Sequence, residues 1–357
     1  MCANRKLNRQ AGFSMMELLI SLAIMTVITG ACFALIAGSI RFAHATYHMT
    51  EAEQSLRMAH ELINRDLTEA GDGLKGIGTI QVPSGFVQNY LTVNPVISSP
   101  GYVNLAIVTS DDNVPGTTAV LQTNPAVNVL GGVDRITVLT QDTSFTQVSL
   151  AAGKITQASP NTNLLVTAAD IGRFQVGEIY AIASQNSAAF GVISGIDSTT
   201  NTLTMTSGDV YGLNQTGASA PISTAAVVIS GASTQATSIT RIQMIHYFVN
   251  ANGLLIRRVF GVHGAAFADS VIAEHVTNLQ FRYMTNIKDP NGFVTQPATQ
   301  LTSSQQQVAV REVETTIAVE TVRAVNAVTN TNNGKQNIST TTATTVRNLQ
   351  FRQALSP

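Results

Sequence analysis

The chain has 357 residues, 44% of them apolar and only 11% charged, which is too long for one small domain and long enough to bury a substantial core. A net charge of −1 argues against an electrostatic grip on nucleic acid, and two cysteines, Cys2 and Cys32, exclude a disulfide framework or a four-cysteine zinc site. Trp is absent and the polar residues are mainly Thr, Ser, Asn and Gln, a composition that suits β-structure outside the cytoplasm.

The first twelve residues carry Arg5, Lys6 and Arg9 and no acid, and from Leu18 to Ile40 no residue is charged. At about 1.5 Å per residue, a helix over that run crosses a bilayer core of roughly 30 Å. The basic flank should stay cytoplasmic while the rest of the chain is exported. A cleaved secretory signal has an apolar region of about 7–15 residues, and this run is longer. An ordinary signal anchor would leave Glu17 unexplained, because a carboxylate at the head of a spanning helix costs up to about 3 kcal/mol when immersed. Glu17 therefore asks for a partner.

Gly12-Phe13-Ser14-Met15-Met16-Glu17, followed by the apolar run, resembles the class III signal of type IV pilins and pseudopilins. The resemblance implies a leader peptide over 1–12, cut between Gly12 and Phe13 by a prepilin peptidase that also N-methylates the new terminus. It implies that 13–40 stays in the mature protein as membrane span and filament core. It gives Glu17 the role of pairing with a neighbouring subunit's N-terminal amine. Loss of the leader would leave a net charge of −4 and Cys32 as the single cysteine.

Beyond Ile40 the apolar positions are Phe42, Ala45, Met49, Ala52, Leu56, Ala59, Ile63, Leu67 and Ala70, an alternation of three and four that predicts an amphipathic helix over 41–71. Arg41, His44, His48, Glu51, Glu53, Arg57, Glu61 and Arg65 occupy its other face. With no proline before Pro83, one helix from about Ser14 to about Ala70 is expected, stopped by Gly71 and Gly73. The expected fold is α+β: a long N-terminal helix packed on an antiparallel β-sheet head with a small β-barrel-like insertion. The head divides into a first β-rich part at 72–159, the insertion at 160–235 and a C-terminal sheet at 236–357.

Predicted strands cover 103–109, 133–140, 162–167, 178–184, 188–196 and 202–207, with 160–215 read as a compact meander. Asn252-Gly253 predicts a tight turn within a hairpin at 241–260. Strands follow at 275–283 and 308–325, and the polar stretch 326–345 reads as a loop or disordered hairpin tip. The pentapeptide NLQFR occurs at Asn278–Arg282 and again at Asn348–Arg352, which reads as two strands with one alternation pattern and not as a duplicated domain.

The segment Asn64–Gly71 (NRDLTEAG) is similar to the end of the long helix in PilW and J-type minor subunits, and the NGLLIRR hairpin, the VTNLQFRY strand and the late TTVRN resemble the C-terminal sheet of PilW-type minor pilins. That resemblance implies a structural subunit that primes pilus assembly at or near the filament tip. Its partners would be other minor pilins, the major pilin, the inner-membrane assembly platform and a tip adhesin. The head would lie in the periplasm on a single-pass anchor before reaching the pilus at the cell surface. The runner-up is a J-type pseudopilin of type II secretion, whose head is typically smaller than the roughly 285 residues that follow the helix here. A rival of another class is a membrane-anchored extracytoplasmic binding protein or enzyme.

Little argues for catalysis. His60-Glu61-Leu62-Ile63-Asn64 begins like the zinc-protease helix HExxH, but the second histidine is Asn, so a solvated helix face is the better account. His44 and His48 are four apart without a third ligand, and His246, His263 and His275 are scattered over β segments. No GxSxG elbow or P-loop occurs. Asp111-Asp112-Asn113 is a compact oxygen-rich loop, a weak candidate for calcium that reads more simply as a hydrated turn. Asn214 and Asn337 begin glycosylation sequons that arise often by chance. The chain is expected to need no cofactor and to be no enzyme.

Overall fold

An unbroken helix, α1 (Met15–Glu69), opens the structure, as the apolar run and the absence of proline require. It stops where expected: Gly71 and Gly73 adopt left-handed φ of 76° and 68°, and the Gly71 N–H leaves the helix to donate to Leu139 O at 2.8 Å. This computed structural model describes residues 14–74, 79–91, 97–99, 101–116, 119–121, 127–158, 161–183, 188–214, 237–262, 267–288, 297–323, 331–332 and 335–347. Cys2, Gly12, Phe13, His263 and the second NLQFR copy lie outside these residues.

The chain forms two compact units, Met1–Glu51 with Thr321–Gln336, and Ala52–Glu320 with Asn337–Pro357. In the first, the apolar part of α1 is bare from Leu18 to Ile40, and among the described residues only Ala45 and Thr321 are buried. Phe42, expected in the buried stripe, is exposed.

The second unit is built on an eleven-stranded sheet. Its members include β1 (Val108–Val114), β2 (Val133–Gln141), β3 (Thr237–Val249), β4 (Leu255–Phe260) and β5 (Phe267–Ala273). The thirteen-residue β3 is its spine. Its second half pairs with β2 on one edge (Ile242↔Gln141 to Tyr247↔Ile136) and β4 on the other (Met244↔Phe260 to Val249↔Leu255). Its first half pairs with Ile179–Ala183 and Val148–Leu150. β1 extends the sheet beyond β2, and β5 extends it beyond β4. Among the described ladders of this sheet, only Gln81↔Ala189 is parallel.

The β3–β4 hairpin forms as expected, but its connection is a five-residue loop and not a two-residue turn. Asn250 Oδ1 accepts the N–H groups of Asn252 and Leu254, both at 3.0 Å, and so reinforces the backbone bonds Gly253 N–H to Asn250 O and Asn250 N–H to Leu254 O, each 2.9 Å. Gly253 supplies the left-handed residue at φ 73°.

The strands expected in one meander over 160–215 are divided between two sheets. Ile179–Ala183 and Ala188–Val192 are buried on both faces and enter the large sheet. Asn161–Leu165 and Thr202–Thr206 alternate buried and part-exposed positions, and they join a four-stranded antiparallel sheet with Ile155–Ala158 and Gly195–Asp197. Continuous apolar runs need cover on both sides, whereas alternating ones need a single core face.

A further antiparallel sheet runs β6 (Val276–Thr285), β7 (Val310–Glu320), β8 (Lys335–Thr345). The expected strand at 308–325 is shortened by a short helix, Ser304–Ala309, whose N-cap Ser303 Oγ accepts from Gln306 N at 3.2 Å. The expected loop at 326–345 is corrected more strongly. From Asn337 to Thr345 it pairs with β7 along its whole length (Glu320↔Asn337 to Glu312↔Thr345). Its polarity hid the β-branched preference of its threonines.

The helix stripe Ala52, Leu56, Ala59, Ile63, Leu67 and Ala70 shares one core with Ile136, Val138, Ile245 and Tyr247 of the large sheet. A second core, around Phe145, Phe174, Tyr180, Leu203 and Ile239, joins the four-stranded sheet to the strands nearest it, and its three rings stand 5.3–5.5 Å apart.

Candidate assembly site and the polar ties of the head

The head of α1 is a reciprocal cap. Ser14 Oγ accepts the Met16 N–H at 3.3 Å, and Glu17 reaches back so that Oε2 accepts the Ser14 N–H at 3.1 Å. Ser14 and Glu17 are thus the S-x-x-E pair of a capping box, with the Glu17 carboxylate held at the positive end of the helix dipole. Glu17, expected to pair with another subunit's amine, has a local partner in the Ser14 N–H. Beyond Glu17, α1 is long and apolar enough to cross a membrane, with its apolar stretch unburied. Cys32 in that stretch is free and exposed.

Between Leu56 and Ala70 the helix is tied to the sheets by polar groups that the sequence reading placed on a solvated face or passed over. Asp66 is buried and its Oδ2 accepts both Tyr247 OH and Arg257 Nε at 2.6 Å. Burial, then the Asp66 charge, pushes the Tyr247 phenol well above its usual range, while for Arg257 the carboxylate more than offsets desolvation. His60 is corrected from a solvated residue to a buried one. Its Nε2 meets Thr340 O at 3.1 Å and its Nδ1 meets Thr342 Oγ1 at 2.9 Å, both on β8. Burial lowers its pKa, so the ring is neutral at pH 7. Asn64 Oδ1 accepts from Thr344 Oγ1 at 2.5 Å. The HExxH-like segment is therefore a docking surface for a threonine strand.

The oxygen-rich Asp111-Asp112-Asn113 does not assemble as one cluster. Asp111 is buried in an ion pair with Arg135, whereas Asp112 accepts from Asn113 Nδ2 at 3.1 Å and Thr299 Oγ1 at 3.4 Å. The buried carboxylate missed beside it is Asp134, which accepts the Asn113 N–H at 2.9 Å and the Phe281 N–H at 2.7 Å. Burial raises its pKa to about 6, partly opposed by those two N–H groups and reinforced by Asp112. Among the described residues, no three His, Cys, Asp or Glu side chains are placed to hold a metal together.

Residues 7–33 match the model of the prokaryotic N-terminal methylation motif. That motif is the signal of type IV pilin-like and pseudopilin chains, which are structural proteins; it implies processing by a prepilin peptidase, membrane anchoring and assembly with other pilins. No curated protein and no solved structure matches the chain.

Proposed function

We propose that this chain is a PilW-like minor type IV pilin, a structural subunit that primes pilus assembly and sits at or near the filament tip. The observation that carries it is the methylation motif at 7–33 fused to a 55-residue helix whose apolar half is bare. In this reading the leader is cut between Gly12 and Phe13, and the bare apolar surface passes from lipid to the filament core. Glu17 then meets the neighbouring subunit's N-terminal amine: an unpaired carboxylate among apolar helices is costly, and the amine compensates it. The large β-rich head makes the tip contacts, and the size of that head favours a pilus over a secretion pseudopilus.

The experiment is co-purification from cells carrying the other minor pilins. Wild-type protein should begin at Phe13 and recover those partners. Glu17→Ala should still be cut after Gly12 and still fold its head, but should recover far less of them. A mature terminus other than Phe13, or equal recovery with normal piliation, overturns this reading.

A further inference from the structure

The face of the large sheet turned away from α1 carries a transverse polar row that neither the helix docking nor the assembly site uses. The register places Thr109 of β1 beside Thr137 of β2, Thr137 beside His246 of β3, His246 beside Arg258 of β4, and Arg258 beside Asp269 of β5. Arg135 lies two residues from Thr137 on the same face and pairs with Asp111. Arg258 Nε and Nη2 each donate to Asp269 at 2.6 Å. Its guanidinium carbon stands 3.8 Å from the Phe267 ring centre and 5.2 Å from that of Phe248, and the Phe248 ring is 5.5 Å from His246. Arg135, His246 and Arg258 are all buried.

The two carboxylates do not use up the donors. Arg135 Nε and Nη1, Arg258 Nη1 and His246 Nε2 are sealed from solvent with no hydrogen-bond partner, as is Thr109 Oγ1. His246 Nδ1 is engaged by Thr137 Oγ1 at 2.9 Å. With Thr137 donating, Nε2 carries the ring proton and joins the guanidinium N–H groups as a donor. Each buried, unmade hydrogen bond to a charged group costs more than the bond itself would contribute. A water molecule could accept from two of these donors and donate to Thr109 Oγ1, but the other N–H groups would still be without a partner. An acceptor-only ligand meets no such difficulty.

We propose that Arg135, His246 and Arg258 form a buried site for a small monovalent anion of the halide class. Burial of the row limits the size: it suits a small ion and excludes an organic carboxylate or a phosphate group. The two flanking carboxylates, Asp111 and Asp269, balance the two guanidiniums, so the site selects through donated hydrogen bonds more than through net charge. The anion would bind only the folded sheet, because its donors come from three strands, and so would stabilise the head by mass action.

The test uses the full chain in detergent, melted at constant ionic strength while sodium gluconate is replaced by sodium chloride. A saturable rise in Tm of about 5 °C between about 1 mM and 300 mM chloride is expected. Bromide should reproduce it, and a crystal grown in bromide should show its anomalous peak within hydrogen-bond distance of His246 Nε2 and an arginine of the row. Arg135→Lys keeps the charge but removes the fork, and should weaken the half-saturating chloride concentration at least about tenfold. Identical melting in both salts, a peak elsewhere or only ordered water at the row, or an undiminished response in Arg135→Lys would each overturn the proposal.

Discussion

Removing the Asp66 carboxylate should loosen the helix from the head more than any other single truncation of a polar side chain in α1. Asp66 is 1% exposed and Arg257 16%, so both charges sit largely out of water and the pair is little screened. In Asp66→Ala, Tyr247 OH and Arg257 Nε each lose a partner at 2.6 Å. Hydrogen bonds to a charged group contribute about 1.5–3 kcal/mol each, and breaking a buried pair from one side costs about 3–5 kcal/mol in total. Arg65, at 3.3 Å from the other oxygen and more than half exposed, adds little to that sum. At about 2–4 °C per kcal/mol, the melting temperature should fall by roughly 10 °C. The assay is thermal and urea denaturation of the full chain in detergent, followed by circular dichroism. Asp66→Asn keeps an acceptor for Tyr247 and should cost less than Ala. A double-mutant cycle with Tyr247→Phe should give a coupling of about 1–2 kcal/mol. A cost below about 1 kcal/mol for Asp66→Ala, or strict additivity with Tyr247→Phe, would refute the reasoning.

Leu56→Ala, in the stripe shared with Ile136 and Ile245, should destabilise the head by about 2–5 kcal/mol with no loss of cleavage, as read by denaturation and N-terminal sequencing. Gly253→Val should cost about 2 kcal/mol or more. Its φ of 73° disfavours a β-branched residue, and an added Cβ would stand 3.1 Å from Val276 O; Gly253→Asn, which tolerates that region, should cost less. Head stability in halide-free buffer should fall as pH drops below 6.5. Buried His60 and His246 have folded-state pKa values lowered by desolvation, His246 further by Arg135 and Arg258, so the unfolded chain takes up their protons first. Asp134 works in the opposite sense: its folded pKa of about 6 lies above the ordinary 3.8, so its contribution is full below that value and is lost as pH rises through 6. His246→Gln should therefore reduce the acid slope, by up to about 1.4 kcal/mol per pH unit, and an unchanged slope would contradict the assignment.

Which of these groups could be read in the sequence depended on how far away their partners lie. The helix, its end at Gly71 and its stripe followed from local periodicity, and α1 spans Met15–Glu69 against an expected 14–70. Asp66 and His60 did not, because their partners lie 181 and 280 residues away. A local signal existed: on a helical wheel His60 lies roughly 40° to one side of the Leu56–Ile63–Leu67 stripe and Asp66 roughly 80° to the other, where side chains are buried when the contact face is wide. A narrow stripe of Ala and Leu invites a close approach, and close approach buries its flanks. The strand at 335–345 was illegible for another reason: KQNISTTTATT lacks apolar alternation, and it is held through ladder pairing with β7 and by His60 and Asn64, not by a face of its own. The division of 161–206 between two sheets was legible in retrospect from IYAIA and AAFGV, which are apolar throughout, against NTNLL and TLTMT, which alternate.

The capping box divides the proposed role of Glu17 into two parts that substitution can separate. A carboxylate has about four acceptor positions, and the Ser14 N–H uses one, so an incoming amine from another subunit need not displace the cap. Capping requires only an acceptor at the third helical position, which glutamine supplies; pairing with an amine requires the charge. Glu17→Gln should therefore keep the helix start intact. Amide exchange over Ser14 to Glu17 should match wild type, whereas Glu17→Ala should lose about 1 kcal/mol of local protection. In co-purification with the other minor pilins, Gln should fail as Ala does if the charge sets the docking. Gln recovering partners as well as wild type, with Ala failing, would make the cap the whole of the effect and remove the need for an intersubunit pair.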